Sequence, residues 1–188
     1  MSHDLLKNTS FHLQLDIIDQ HLARQTQEKG CPLCGHKLHC ANYRRSPMGL
    51  PSSLWPFYEK RLSFCCAKCR KRVTPPSVKF FDLRWYPAFL FILISVFMRG
   101  MGAFFIIQMK RHFGICVGRK TWKRWNLWWN RFFVLTPFWK KAKGFVPQTL
   151  ERYKSLPWAL LKVFKGTFEE KIISTLLFLS PFTRKESG

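Results

Sequence analysis

The sequence predicts an α+β fold in which a small zinc ribbon of β strands is followed by a helix-turn-helix and C-terminal helices. Three observations lead there. Two Cys-x-x-Cys turns, Cys31 to Cys34 and Cys66 to Cys69, bracket a segment dense in turn residues. Apolar residues recur at helical spacing before and after that segment. Lys and Arg outnumber Asp and Glu by 32 to 10, a formal charge of +22 with a pI near 10.3. Such an excess points to a polyanionic partner. A hydrophobic content of 47% with 19 Phe and 8 Trp excludes a disordered basic tail. The 188 residues suit one or two small domains rather than a large multidomain enzyme.

Four segments follow in order: 1–29, 30–80, 84–135 and 136–188. In the first, Phe11, Leu15, Ile18 and Leu22 form the apolar stripe of one helix, capped near Thr9 or Ser10, with Asp16, Asp19, Gln20 and Arg24 between them. From Gly30 to Pro76, glycines and prolines punctuate short stretches, predicting strands near 37–45 and 60–67. The block 84–133 reads as three helices, broken at Arg99–Gly102 and at Gly114–Gly118, with Pro87 in the first turn. Lys140, Lys141 and Lys143 then lie in a basic linker or phosphate-contacting arm. Helices are expected over 156–165 and 167–179, the second opened by a capping box of Thr167 and Glu170.

Two thiolates separated by two residues reach one metal ion, and two such turns complete a closed tetrahedral site, so Cys31, Cys34, Cys66 and Cys69 predict Zn2+. Gly35 supplies a positive φ after the second cysteine. Cys65 is adjacent to Cys66 and is an alternative ligand; Cys40, His36 and His39 are close enough to be alternates and read as strand or loop surface. Cys116 reads as unliganded. A closed four-sulfur site has no position for water, so it stabilises a fold and hydrolyses nothing. The odd total of seven cysteines and an N-terminus without a basic-then-apolar layout argue against a disulfide framework and for a reducing cytoplasm.

Between Asp82 and Glu151 there is no acidic residue, while twelve Lys and Arg run from Arg84 to Lys143. Self-repulsion on that scale calls for compensating anions. Within it, a helix ending at Gly114 precedes one expected over Arg119 to Phe133, on which Trp122, Trp125, Trp129 and Phe132 face the core. Arg119, Lys120, Lys123, Arg124 and Asn126 then occupy the outer surface, as on the recognition helix of a helix-turn-helix. His112 reads as a surface residue or phosphate contact.

The layout CPLCGHKL, then RLSFCCAKCRKRVTPPSVKF, then HFGICVGRKTWKRWNLWWNRFF resembles the zinc-ribbon plus helix-turn-helix region of bacterial insertion-sequence transposases and related small transposon-encoded proteins. The resemblance covers about residues 30–135, with a longer turn at Ile115–Gly118 than the common form, and implies binding to transposon ends or related DNA. It does not reach that family's catalytic domain, which supplies three carboxylates for two metal ions.

Catalysis is not expected. After the basic helix the acidic residues are Glu151, Glu169, Glu170 and Glu186; Glu169 and Glu170 point apart on a helix and the cap engages Glu170. No nucleophile signature or glycine-rich phosphate loop is present. The expected function is therefore non-catalytic binding of double-stranded DNA in the cytoplasm, nucleoid-associated, as an accessory or regulatory component of a mobile element, with a separate transposase as a further partner. One alternative is a small membrane-associated protein with a hydrophobic hairpin at 85–108, although joining its two apolar runs places Arg99 mid-bilayer at about 2.5–3.5 kcal/mol. Another is a truncated, inactive transposase.

Overall fold

A computed structural model describes residues 8–81, 86–97, 111, 118–145 and 156–183. It is a mixed α and β protein that divides into two compact units, Met1–Ala88 with Leu176–Gly188, and Phe89–Thr175. The helix expected at Ile106–Phe113 apart from Arg111, the following turn with Cys116, and residues 85 and 98–108 of the expected 85–108 hairpin lie outside the described residues. Among the described residues no helix is long and apolar enough to cross a membrane.

The first unit opens with α1, Thr9–Lys29. Its cap is Asn8, whose Oδ1 accepts from the Phe11 amide at 3.3 Å, so Thr9 and Ser10 fall inside the first turn. The helix buries Phe11, Leu15, Asp19 and Ala23, four residues apart, while Ile18 and Leu22 are only half-buried. The apolar stripe expected from sequence is thus rotated, because Asp19 has partners inside. Its carboxylate accepts from the Ser77 hydroxyl at 2.5 Å and the Val78 amide at 2.6 Å, and Asp16 pairs with Lys79. Arg61, also buried, donates to the Pro75 carbonyl at 2.6 Å and lies over the Phe80 ring.

Burial pushes the Asp19 carboxyl above its ordinary value, with the Ser77 hydroxyl, Arg61, the Val78 amide and Lys79 partly opposing it. A raised folded-state pKa means that this group's contribution is full below the unfolded carboxyl range and is lost as pH rises through the folded value. Asp19→Ala would leave the Ser77 hydroxyl and Val78 amide buried without an acceptor. The expected cost is roughly 2–5 kcal/mol, measured as a lower urea midpoint with unchanged slope.

Five short strands follow: β1 Leu38–Cys40, β2 Tyr43–Arg44, β3 Lys60–Arg61, β4 Phe64–Cys66 and β5 Arg72–Val73. They form an antiparallel sheet in the order β1-β4-β5 and a separate β2-β3 pair. The two strands expected from sequence are each split, and β5 was not anticipated. A 3-10 turn at Ser52–Leu54 and the short α2, Trp55–Tyr58, occupy a stretch whose prolines suggested only turns; Pro56 sits at the start of α2, where its missing N–H costs nothing. On the covered side of the larger sheet, Leu38, Phe64, Cys66 and Val73 cluster with Ala23 of α1 and Cys31.

The second unit begins inside α3, Ala88–Phe97, with an apolar run in which Phe89, Leu90, Phe91 and Ile92 are all fully buried. A helix that is hydrophobic all round and covered all round is a core helix. Phe91 stacks on Trp129 at 5.3 Å and meets Trp125 edge-on at 5.0 Å; the Trp129 indole N–H donates to Ser95 Oγ at 2.9 Å. Both tryptophans belong to the rod beginning with α4, Arg119–Leu127, which continues as a π-helical turn at Trp128–Phe132 and a 3-10 turn at Phe133–Leu135. The extent matches the helix expected over Arg119–Phe133, but Phe132 is 57% exposed and Phe133 is fully buried in its place. The wider π turn adds about a residue of phase, carrying Phe132 outwards.

Two regions match their sequence reading and one differs. Helix α6 spans Leu156–Val163 and α7 spans Phe168–Leu179. The Thr167 amide donates to Glu170 Oε2 at 2.7 Å and the Glu170 amide to Thr167 Oγ1 at 3.3 Å, the expected capping box. The basic stretch expected as a linker is instead helical: α5, Pro137–Ala142, is capped by Thr136, whose Oγ1 accepts from the Trp139 amide.

Candidate metal centre and nucleic-acid interface

The two Cys-x-x-Cys turns have the same backbone plan. In the first, the Gly35 amide donates to the Cys31 carbonyl at 2.8 Å and the Cys31 amide to the His36 carbonyl at 2.9 Å. In the second, the Arg70 amide donates to the Cys66 carbonyl at 3.2 Å and the Cys66 amide to the Lys71 carbonyl at 3.0 Å. Gly35 and Arg70 hold equivalent places, both left-handed, with φ of 70° and 60°. Gly30, at φ 73°, turns the chain from α1 into the first loop, and a Cβ there would lie 2.8 Å from the Gly35 carbonyl oxygen. The positive φ expected at Gly35 is present, while its counterpart falls on an arginine.

A left-handed conformation costs a residue with a Cβ about 1–2 kcal/mol. Glycine there would forgo that strain and lose about 0.5–1 kcal/mol to its greater unfolded freedom. Arg70→Gly is therefore expected to stabilise the first unit slightly, by about 0.5–1 kcal/mol, read as a raised thermal midpoint.

These turns bring Cys31, Cys34, Cys66 and Cys69 together, with all four sulfurs within 4.8 Å of one another. Between the turns, Cys31 Sγ to Cys69 Sγ is 3.6 Å and Cys34 Sγ to Cys66 Sγ is 3.4 Å. Both are far longer than an S–S bond, and near the edge of about 3.8 Å that a tetrahedron with metal–sulfur bonds of about 2.3 Å requires. The four cysteines could hold a metal ion. Cys31 and Cys66 are buried, while Cys34 and Cys69 are half-buried.

Strand register separates Cys66 from Cys65. Cys66 pairs with Leu38 on the core face, whereas Cys65 pairs with His39 and Arg72 on the other face. Its sulfur points towards the Arg70 carbonyl at 3.4 Å. Cys40 and both nearby histidines are exposed.

At Cys66, burial favours the thiol, but the Cys69 and Lys68 amides and the Cys34 and Cys69 thiols outweigh it and lower the pKa to about 6. At Cys69 the Lys71 amide favours the thiolate, while burial and the surrounding sulfurs of Cys66, Cys31 and Cys34 raise its pKa to about 12. A cation bound among these sulfurs would favour the thiolate at both Cys66 and Cys69. The chain matches no protein family, no curated protein and no solved structure.

The expected DNA contacts lie in the second unit. Lys120, Lys123 and Arg124 on α4 are exposed, and with Leu127 they share one helical face. Trp125 and Trp129 are buried. Arg119 is the first residue of α4; its side chain, like that of Trp122, lies outside the described residues. Asn126 is exposed and its Oδ1 accepts from Asn130 Nδ2 at 2.8 Å. Lys140, Lys141 and Lys143 are exposed along α5 and the turn after it.

Proposed function

We propose that this protein is a zinc-containing, non-catalytic binder of double-stranded DNA, acting as an accessory or regulatory component of a mobile element. The observation that carries the DNA reading is α4: Trp125 on it and Trp129 in the π turn that continues it are held inside, so Lys120, Lys123 and Arg124 remain outward with no acidic residue on the helix. A groove of B-DNA admits a helix of this kind and its phosphates supply the anions that the acid-free stretch calls for. Zinc is favoured over other ions by the all-sulfur, closed donor set. The link to mobile elements rests on the resemblance of the Cys-x-x-Cys turns and the basic helix after them to the corresponding region of insertion-sequence transposases, and a separate transposase is the corresponding protein partner.

Titration of a mixed-sequence duplex at several salt concentrations tests this. About six phosphate contacts give a log-log slope near −5. A flat dependence up to physiological ionic strength would overturn the reading. Supercoiled plasmid incubated with the protein and Mg2+ or Mn2+ is expected to stay intact, because the sparse carboxylates after α4 do not suit two ions. Nicking that disappears in a Glu151→Gln variant would show that the protein is an enzyme after all.

A further inference from the structure

We propose that the tip of the ribbon around Cys66–Cys69 is a second DNA-phosphate docking surface, formed by Lys37, Lys68, Arg70 and Lys71 and independent of α4. The inference rests on the reading of the protein as a duplex-DNA binder and extends it to a unit that the helix-turn-helix argument leaves idle.

Four observations meet at this tip. Between Gly30 and Phe80, Glu59 is the one acidic residue against ten Lys and Arg. The bases Arg61 and Lys79 are turned inwards to Asp19, Asp16 and backbone carbonyls, so they do not contribute to the surface. By contrast, Lys37, Lys68, Arg70 and Lys71 are exposed, and none is ion-paired among the described residues. The Ala67 amide donates to the Lys37 carbonyl at 3.1 Å, which brings the first loop's lysine beside the second loop. Arg72, next along the chain, is fixed in place: it donates to the Ala41 carbonyl at 2.7 Å and Ser63 Oγ at 2.9 Å and lies over the Tyr43 ring.

The fourth observation is Arg70 itself. The equivalent place in the first loop holds glycine, so this fold accommodates the unstrained residue there, yet the second loop carries a cation in a left-handed conformation. Strain retained where a relaxed alternative exists belongs with function. A competing use for these charges is to offset the thiolates of the metal site. The two uses differ in what is lost when the charges go: metal in one case, duplex affinity in the other.

The test uses the full chain loaded with zinc, in two variants: Arg70→Gly, and Lys37→Ala with Lys68→Ala and Lys71→Ala. Zinc content is read with a metallochromic dye, and duplex affinity is read across a salt series. Each lost phosphate contact shallows the log-log slope by about 0.9, so Arg70→Gly is expected to remove about one such step and the triple variant about three, with stoichiometric zinc in both. Arg70→Gly is decisive because its thermal midpoint is expected at or above that of the wild type, so that misfolding does not account for weaker binding. Unchanged slopes in zinc-loaded Arg70→Gly, with the wild type binding duplex normally, overturn the proposal and leave the DNA reading standing. Zinc loss from Arg70→Gly with duplex binding intact assigns the cluster to the thiolates and overturns it also. A wild type that binds no duplex overturns both readings.

Discussion

Purified protein is expected to carry one Zn2+ per chain, and stripping it with a strong chelator is expected to unfold the β1-β4-β5 sheet and the two Cys-x-x-Cys turns. The sheet β1-β4-β5 contributes only a handful of covered side chains: Leu38, Phe64, Val73 and the cysteines themselves. A region of this size rarely holds together on apolar burial alone. Structural zinc contributes on the order of 10–16 kcal/mol, more than any other single interaction in this unit. Because Cys31 and Cys66 lie in the same cluster as Ala23 of α1, loss of the metal should loosen α1 from the sheet as well. Cys66→Ser should abolish stoichiometric zinc, and Cys65→Ser should keep it, since Cys65 faces away beside His39 and Arg72. Elemental analysis and the near-ultraviolet circular dichroism of the chelated protein measure this. Metal-free protein with an unchanged spectrum would sink the prediction, and zinc retained by Cys66→Ser but lost from Cys65→Ser would reverse the ligand assignment.

The cluster of four cysteines was legible in the sequence because a Cys-x-x-Cys turn is a local device, and its spacing alone brings two sulfurs together. The Cys-x-x-Cys spacing favoured Cys66 but left Cys65 open as an alternative, since the choice depends on which face of β4 meets the core. The pairing of Leu38 with Cys66 decides it, and that pairing is made between residues far apart in sequence. The position of Asp19 is of the same kind. A carboxylate between apolar residues reads as solvent-facing until Ser77 and Val78, 58 and 59 residues away, supply its donors. Phe132 and Phe133 show a third limit: after Trp129 a regular 3.6-residue period allows either, three or four residues on, and the π turn, which apolar spacing does not announce, leaves Phe133 inside and Phe132 exposed. Local signals fared better. The Thr167–Glu170 box and the left-handed Gly35 were read from their own few residues.

If the protein reads DNA sequence, the reading is expected to reside in the first turns of α4, and two classes of variant should separate. The N-terminal part of a recognition helix meets base edges, and here burial of Trp125 and Trp129 fixes which side of α4 is available. Arg119 opens the helix and Arg124 lies exposed a little over one turn later, with Asn126 beyond it. An arginine contacting guanine at two points, or an asparagine contacting adenine so, discriminates by about 1–3 kcal/mol per pair. Arg119→Ala or Arg124→Ala should therefore relax preference at defined base pairs by roughly ten- to hundredfold. The lysines of α5 and the turn after it, Lys140, Lys141 and Lys143, are exposed point charges that suit phosphates, which carry no sequence code. Their triple replacement by alanine should weaken all duplexes alike and shallow the log-log salt slope by about 2.7. Selection from random duplexes distinguishes the two. Recovery of one motif with undiminished contrast from both arginine variants would move the specificity off α4, whereas a motif blurred at one or two base pairs, beside an intact motif for the lysine variant, would fix α4 in the groove.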